Sequence, residues 1–283
     1  MSKVIALVDG STYSQSVCDH AAWVAKGKGW PVEVLHVIGR RDEATDPRNL
    51  SGNIGLGART ALLNELADLD AQKAKLARKR GQAIIEDASA RIAAEGVEVS
   101  ARLRIGDLID TLREAEAEAD LVIIGKRGEG ADFASLHLGS NMERVVRASS
   151  RPVLVASRAF RPVQKLLVAF DGGRFAMKAV DHIARSELFA GLAIHLLTVG
   201  DETQEARRAI EGAAAVLKGG GYDITTEIAE GQPEKEIADR AEAHDFDLLV
   251  MGAYGHSRIR SLLIGSTTTE MIRACKVPVL LFR

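Results

Sequence analysis

Short apolar runs alternate with longer amphipathic stretches along the whole chain. In the first half the runs fall at residues 4–8, 32–37, 97–104, 121–124 and 153–155. Most are continuous Val, Ile and Leu, with no polar residue on every second position, so both faces of each strand are to be buried. Between them, residues 14–26, about 59–94, 108–117 and 141–148 carry apolar side chains at helical spacing. Strands of this kind separated by helices predict a parallel sheet covered on both sides, and right-handed crossovers leave few topologies. The same alternation returns in the second half, with strands expected at 166–170, 193–199, 223–230, 248–251 and 279–282 and a helix at 202–218.

The return is a sequence repeat. Lys3-Val-Ile-Ala-Leu-Val-Asp9-Gly10-Ser11 reappears as Lys165-Leu-Leu-Val-Ala-Phe-Asp171-Gly172-Gly173, 162 positions later. Asp120-Leu-Val-Ile-Ile-Gly125 matches Asp247-Leu-Leu-Val-Met-Gly252, Gly139-Ser140 matches Gly265-Ser266, and Arg151-Pro-Val-Leu-Val155 matches Val277-Pro-Val-Leu-Leu281. Four landmarks in one order indicate duplication, with domains at 1–157 and 163–283. The copies differ in length: 116 residues separate Asp9 from Gly125, but only 81 separate Asp171 from Gly252. The surplus is a polar, Gly-bearing segment, 40–57, followed by the long helical stretch; the segment reads as a surface loop or as a lid over a ligand.

Composition narrows the function. Lys and Arg number 37 against 39 Asp and Glu, and aromatics are 4%. Neither bulk charge nor stacking residues suit a nucleic-acid binder. No apolar run reaches membrane-spanning length, and the N-terminus enters a strand too soon for a secretory signal, so a cytoplasmic protein is expected. Cys18 and Cys275 form neither a CxxC pair nor a zinc spacing.

In an open parallel sheet, ligands sit beyond the carboxyl ends of the strands where strand order reverses. In the second half, Asp171, Val199 and Gly252 fall at such ends, and Gly265-Ser266-Thr267-Thr268 opens a helix. Glycines let backbone approach a ligand closely, and a helix start offers free amides to an anion. The hydroxyls of Ser266, Thr267 and Thr268 are candidate phosphate donors, or simply helix caps. Arg258 and Arg260 lie in the intervening loop, as does His256. Asp171 is a candidate for ribose or adenine, or for turning the chain into the next helix. His20 and His182 are repeat equivalents within a helix and read as structural.

Gly252-x2-Gly255-x9-Gly265-Ser266 resembles the glycine signature of ATP-binding universal stress proteins, and the early Asp and final Pro-Val-Leu strand resemble the same family. The resemblance covers nearly the whole chain, twice. It implies two doubly wound α/β domains of strand order 3-2-1-4-5, paired through their last strands, and leaves open association of two chains as a homodimer. It implies ATP, or ADP or AMP, with Mg2+ at the phosphates. Carried over by position, the contacts in the second half are Ala169, Asp171, Val199, Met251, Gly252, Gly255, His256, Gly265, Ser266, Thr267 and Thr268. A second site in the first half would use Asp9, Ser11, Val37, Gly125, Arg127, Gly128, Gly139, Ser140 and Asn141. There the glycine spacing holds ten residues rather than nine, so the second half is the better match. The resemblance further implies a regulatory role in stress tolerance rather than dedicated catalysis. The alternatives are a slow ATP hydrolase, an adenylating enzyme, for which no SGGxDS-like loop is present, and a scaffold or carrier of another small ligand that holds no nucleotide.

Overall fold

The structure is a computed structural model that describes residues 2–39, 56–128, 139–253 and 266–283, without the side chains of 56–61, 266 and 267. Of the segment 40–57, the lid or loop of the sequence reading, residues 40–55 lie outside the described residues, and 56 and 57 open a helix.

The N-terminal half runs β1 (Val4–Leu7), α1 (Tyr13–Lys28), β2 (Val32–Ile38), α2 (Leu56–Ala94), β3 (Val99–Ile105), α3 (Leu108–Glu116), β4 (Leu121–Gly125), α4 (Ser140–Ala148) and β5 (Val153–Ala156). The C-terminal half runs β6 (Lys165–Ala169), α5 (Arg174–Ala184), a 3-10 turn (Glu187–Phe189), β7 (Ala193–Val199), α6 (Gln204–Gly219), β8 (Ile224–Ala229), α7 (Pro233–Ala243), β9 (Leu248–Gly252), α8 (Ser266–Ala274) and β10 (Val279–Phe282). Local chemistry sets several starts. The Asp107 carboxylate accepts from the amides of Ile109 and Asp110 to cap α3, Thr203 caps α6, and Pro233 opens α7, where a missing N–H costs nothing.

Among the described residues, the ten strands form one sheet in the order β3-β2-β1-β4-β5-β10-β9-β6-β7-β8. Each half has the expected 3-2-1-4-5 arrangement. Pairing is parallel within each half and antiparallel at the junction, where Val279 faces Val155, Leu280 faces Leu154 and Leu281 faces Val153. Strand pleat explains the unbroken apolar runs. In β1, Val4 and Ala6 enter one core while Ile5 and Leu7 enter the other, and all are buried. One core lies under α1, α2, α5 and α6. The other lies under α3, α4, α7 and α8. Both cross the junction without interruption.

The connection between halves packs against α1. Phe160 meets the His20 ring edge-on at 4.9 Å and lies 6.5 Å from Trp23. His20 is fully buried; its Nδ1 donates to the Ser16 carbonyl at 2.7 Å, while Nε2 has no partner among the described residues. His182 packs on Phe282 at 5.1 Å. Both histidines are structural, as the repeat suggested. Burial holds the His20 pKa below 6.5 despite the Ser16 hydrogen bond. Below about pH 6.5 the unfolded chain takes up a proton that the folded chain refuses, so stability falls as pH drops through that value. Urea unfolding at a series of pH values between about 5 and 8 should show this loss, and His20→Leu should make the curve flatter; an unchanged slope would contradict the assignment.

Candidate functional site

Strand order reverses between β1 and β4, and a cleft of about 740 Å³ opens at the carboxyl end of the sheet at that point in the N-terminal half. Its floor is built by a tight turn after β1. The Asp9 Oδ1 atom accepts from the Ser11 amide at 3.0 Å and from the Ser14 hydroxyl at 3.3 Å. The Ser14 oxygen in turn accepts from the amides of Gly10 and Asp9. Gly10 has φ +80°, as its repeat equivalent Gly172 has φ +73°, a backbone state that explains glycine after both aspartates. The wall from β2 is tied to β1 by His36, whose Nδ1 donates to the Val8 carbonyl at 2.7 Å. In the C-terminal half the equivalent Thr198 makes the same tie, its hydroxyl donating to the Phe170 carbonyl at 2.8 Å.

The opposite wall is the turn after β4 and the start of α4. Gly125 lets α1 pass the strand end: a Cβ there would lie 2.6 Å from Tyr13 Cβ. Gly128 faces the cleft floor, where a Cβ would sit 2.8 Å from Asp9 Oδ2. Gly139 lies behind, its amide donating to the Lys126 carbonyl at 3.4 Å, and starts α4 in an extended conformation. Ser140, Asn141 and Met142 then present the first turn of α4 to the cleft. That turn combines amide donors with the positive end of the helix dipole, an arrangement suited to an anion. Arg127 and Arg144 also line the cleft. Arg144 bonds Asp107 at 2.5 Å, and this bond, followed by the cap amides, holds the Asp107 carboxyl below its usual range.

Of the residues expected for an N-terminal site, Asp9, Ser11, Val37, Gly125, Arg127, Gly128, Ser140 and Asn141 all line this one cleft, with Gly139 directly behind. In the C-terminal half, Ala169 and Met251 are register partners at adjacent strand ends, Val199 ends β7, and Gly252 ends β9. The Asp171 Oδ1 atom accepts from the Gly173 amide at 2.8 Å, a turn rather than a cap of α5 itself. Gly255, His256, Arg258, Arg260 and Gly265 lie outside the described residues, and Ser266 and Thr267 are placed by backbone alone, at the start of α8. Thr268 corrects the sequence reading. It is buried and its hydroxyl donates to the Ala253 carbonyl at 2.9 Å, so it braces α8 against the strand end instead of meeting phosphate. Its equivalent in the first half is Met142, a core residue.

The model of the universal stress protein family matches residues 1–157 and 200–283. The chain belongs to the universal stress protein family. A universal stress protein of Synechocystis, Slr1230, is 39% identical over 287 residues and the match spans 100% of both chains. A relative from Mycolicibacterium smegmatis is 24% identical across 99% of this chain and 96% of its own. The crystal structure of a universal stress protein from Archaeoglobus fulgidus superposes with a TM-score of 0.72 at 21% identity, covering 99% of this chain and 98% of that one, and so shares the fold.

Sequence reasoning missed several residues of this universal stress protein's cleft. Tyr13 and His36 were legible in principle, since Phe175 and Thr198 occupy the matching positions. Arg144 and Asp107 carry no such signal, because pairing across 37 residues is a tertiary event. Lys126 was missed for the same reason. It turns away from the cleft and its ammonium donates to the carbonyls of Arg273 and Cys275 at 3.0 and 2.8 Å, at the end of α8. Burial, aided by Arg127, lowers its pKa to about 8. The two glycine positions at the strand ends are tested by stability. Gly125→Val should cost about 2–3 kcal/mol, because the Tyr13 Cβ beside it cannot rotate away. Gly252→Val should cost less, since the Cβ there would lie 3.1 Å from Phe175 Cβ. Urea denaturation reads both, and equal or reversed losses would contradict the packing account.

Proposed function

We propose that the protein is an adenine-nucleotide-binding regulator of the stress response, and that the N-terminal cleft holds the nucleotide. The observation that carries this is the convergence, on one cleft of about 740 Å³, of Asp9, Val37, the 125–128 turn and the first turn of α4. Small-ligand sites commonly span about 300–1,000 Å³, so the space suits a nucleotide. Phosphates would lie on the α4 amides with Arg127 near them. The sugar and base would lie toward Asp9 and Val37, where β1 and β2 end. Glycine spacing favoured the C-terminal half, but its decisive glycines lie outside the described residues. That half has the same strand ends and is a second candidate for the same ligand.

The role proposed is binding rather than catalysis. Of the three aspartates lining the cleft, Asp9 is engaged by the Ser11 amide and Ser14 hydroxyl, and Asp107 by Arg144, so neither of these two is set up as a base on water. Mg2+ would arrive with the phosphates: among the described residues no three His, Cys, Asp or Glu side chains gather to hold a metal. A regulator also needs its site linked to its surface. The 125–128 turn is joined through Lys126 to the end of α8 in the other half, so ligand contacts at Gly125 and Gly128 act directly on the junction.

Isothermal titration with ATP, ADP and AMP tests the reading. The wild-type chain should bind ATP, and Gly128→Val should weaken the N-terminal site about tenfold or more, roughly 1.4 kcal/mol, by filling the space before Asp9. Gly265→Val examines the other half in the same way. Binding that is unaffected by Gly128→Val and abolished by Gly265→Val would return the site to the C-terminal half; no binding of any of the three nucleotides would overturn the nucleotide reading. Steady conversion of ATP to ADP or AMP at catalytic turnover would contradict the assignment as a binder.

A further inference from the structure

The helix α2 has 39 residues, about 58 Å at 1.5 Å per residue, against 16 in its C-terminal counterpart α6. Only its later part packs into the core, through Ile85, Ala88 and Ile92, which are 3%, 3% and 0% exposed. The earlier part carries a second apolar stripe at Leu62, Leu66, Leu69 and Leu76, spaced by four, three and seven. At roughly 100° per residue this stripe is turned about a third of a circle from the core-facing side. Leu69 is 45% exposed and Leu76 68% exposed, and with Leu63 they make three of the five large exposed apolar side chains among the described residues.

Charge along this arm is segregated. Glu65 and Asp68 lie toward its start, Lys75 and Lys79 further on. Glu65, Gln72 and Lys79 are seven apart and therefore flank the same edge of the leucine stripe. The sequence is thus complementary to itself when reversed. With Gln72 of two copies opposed at a two-fold axis, Glu65 lies beside Lys79 of the second copy and Leu69 packs beside Leu76 of the second copy. Lys73 can lay its aliphatic stem over Leu69 while its ammonium reaches water. A parallel arrangement would instead set Glu65 against Glu65 and Lys79 against Lys79.

We propose that two copies of this chain associate through the first half of α2, as an antiparallel helix pair about a two-fold axis at Gln72. A single patch that carries both halves of its own complement is the mark of an isologous contact, and a foreign partner would not require that inversion. The contact is short, so the dimer should be weak, dependent on concentration and weakened by salt.

Sedimentation velocity of the full-length chain between about 1 and 500 µM tests this. A reversible monomer–dimer equilibrium is expected. Leu69→Glu with Leu76→Glu should leave monomer only, with circular dichroism and the urea midpoint as controls for folding. Glu65→Lys alone and Lys79→Glu alone should each raise the dissociation constant about tenfold, and the two together should restore it. A wild-type monomer across the whole range overturns the proposal. So does a dimer insensitive to the leucine changes, or a paired charge exchange that fails to restore association.

Discussion

The antiparallel pairing of β5 with β10 is the constraint on which the architecture depends. Each half alone would end its sheet in a bare apolar edge, Val153 to Val155 in one and Val279 to Leu281 in the other. Such an edge is a template for aggregation unless another strand covers it. Joining the two edges satisfies both sets of backbone groups. It also lets each apolar core run from one half into the other. Because the pairing is antiparallel while each half is parallel, the strand carboxyl ends of the two halves point in opposite directions, so the strand-end residues of the two halves lie at opposite ends of one sheet.

Cations reinforce the junction at matching places. Lys126 reaches the carbonyls at the end of α8, and the Arg283 guanidinium reaches those of Arg147 and Ser149 at the end of α4. Both place positive charge where the helix dipole is negative. The residues are not repeat equivalents, so the two halves brace the junction with different side chains. One consequence is asymmetry. Lys126 belongs to the glycine turn of the N-terminal cleft, whereas among the described residues its C-terminal equivalent Ala253 bonds within its own half, through its amide to Phe282 and its carbonyl to Thr268. The N-terminal cleft is therefore wired to the junction.

Much of this was legible in the sequence because strands buried on both faces leave no polar alternation. The strands expected at 193–199 and 279–282 match the structure residue for residue, and the others shift by one or two residues at their ends. The repeat located the strand-end aspartates and glycines, and the sheet then brought the N-terminal set together in one cleft. What the sequence withheld was side-chain direction. Thr268 looked like a phosphate donor from its place after Gly265-Ser266, yet α8 turns it into the core. Arg144 and Asp107 pair only after α3 and α4 dock side by side. Lys126 has apolar or small residues about its equivalent position, so nothing local announced that it would cross to the other half.

The central claim is that the end of the sheet in the N-terminal half, with the first turn of α4, is built to seat a nucleotide. A crystal structure grown with ATP tests it most directly. The account predicts electron density for the phosphates on the amides of Ser140 and Asn141, with the base and ribose lying toward Val37 and Asp9. Density for no nucleotide in that cleft, with full occupancy elsewhere on the molecule or none at all, would contradict it.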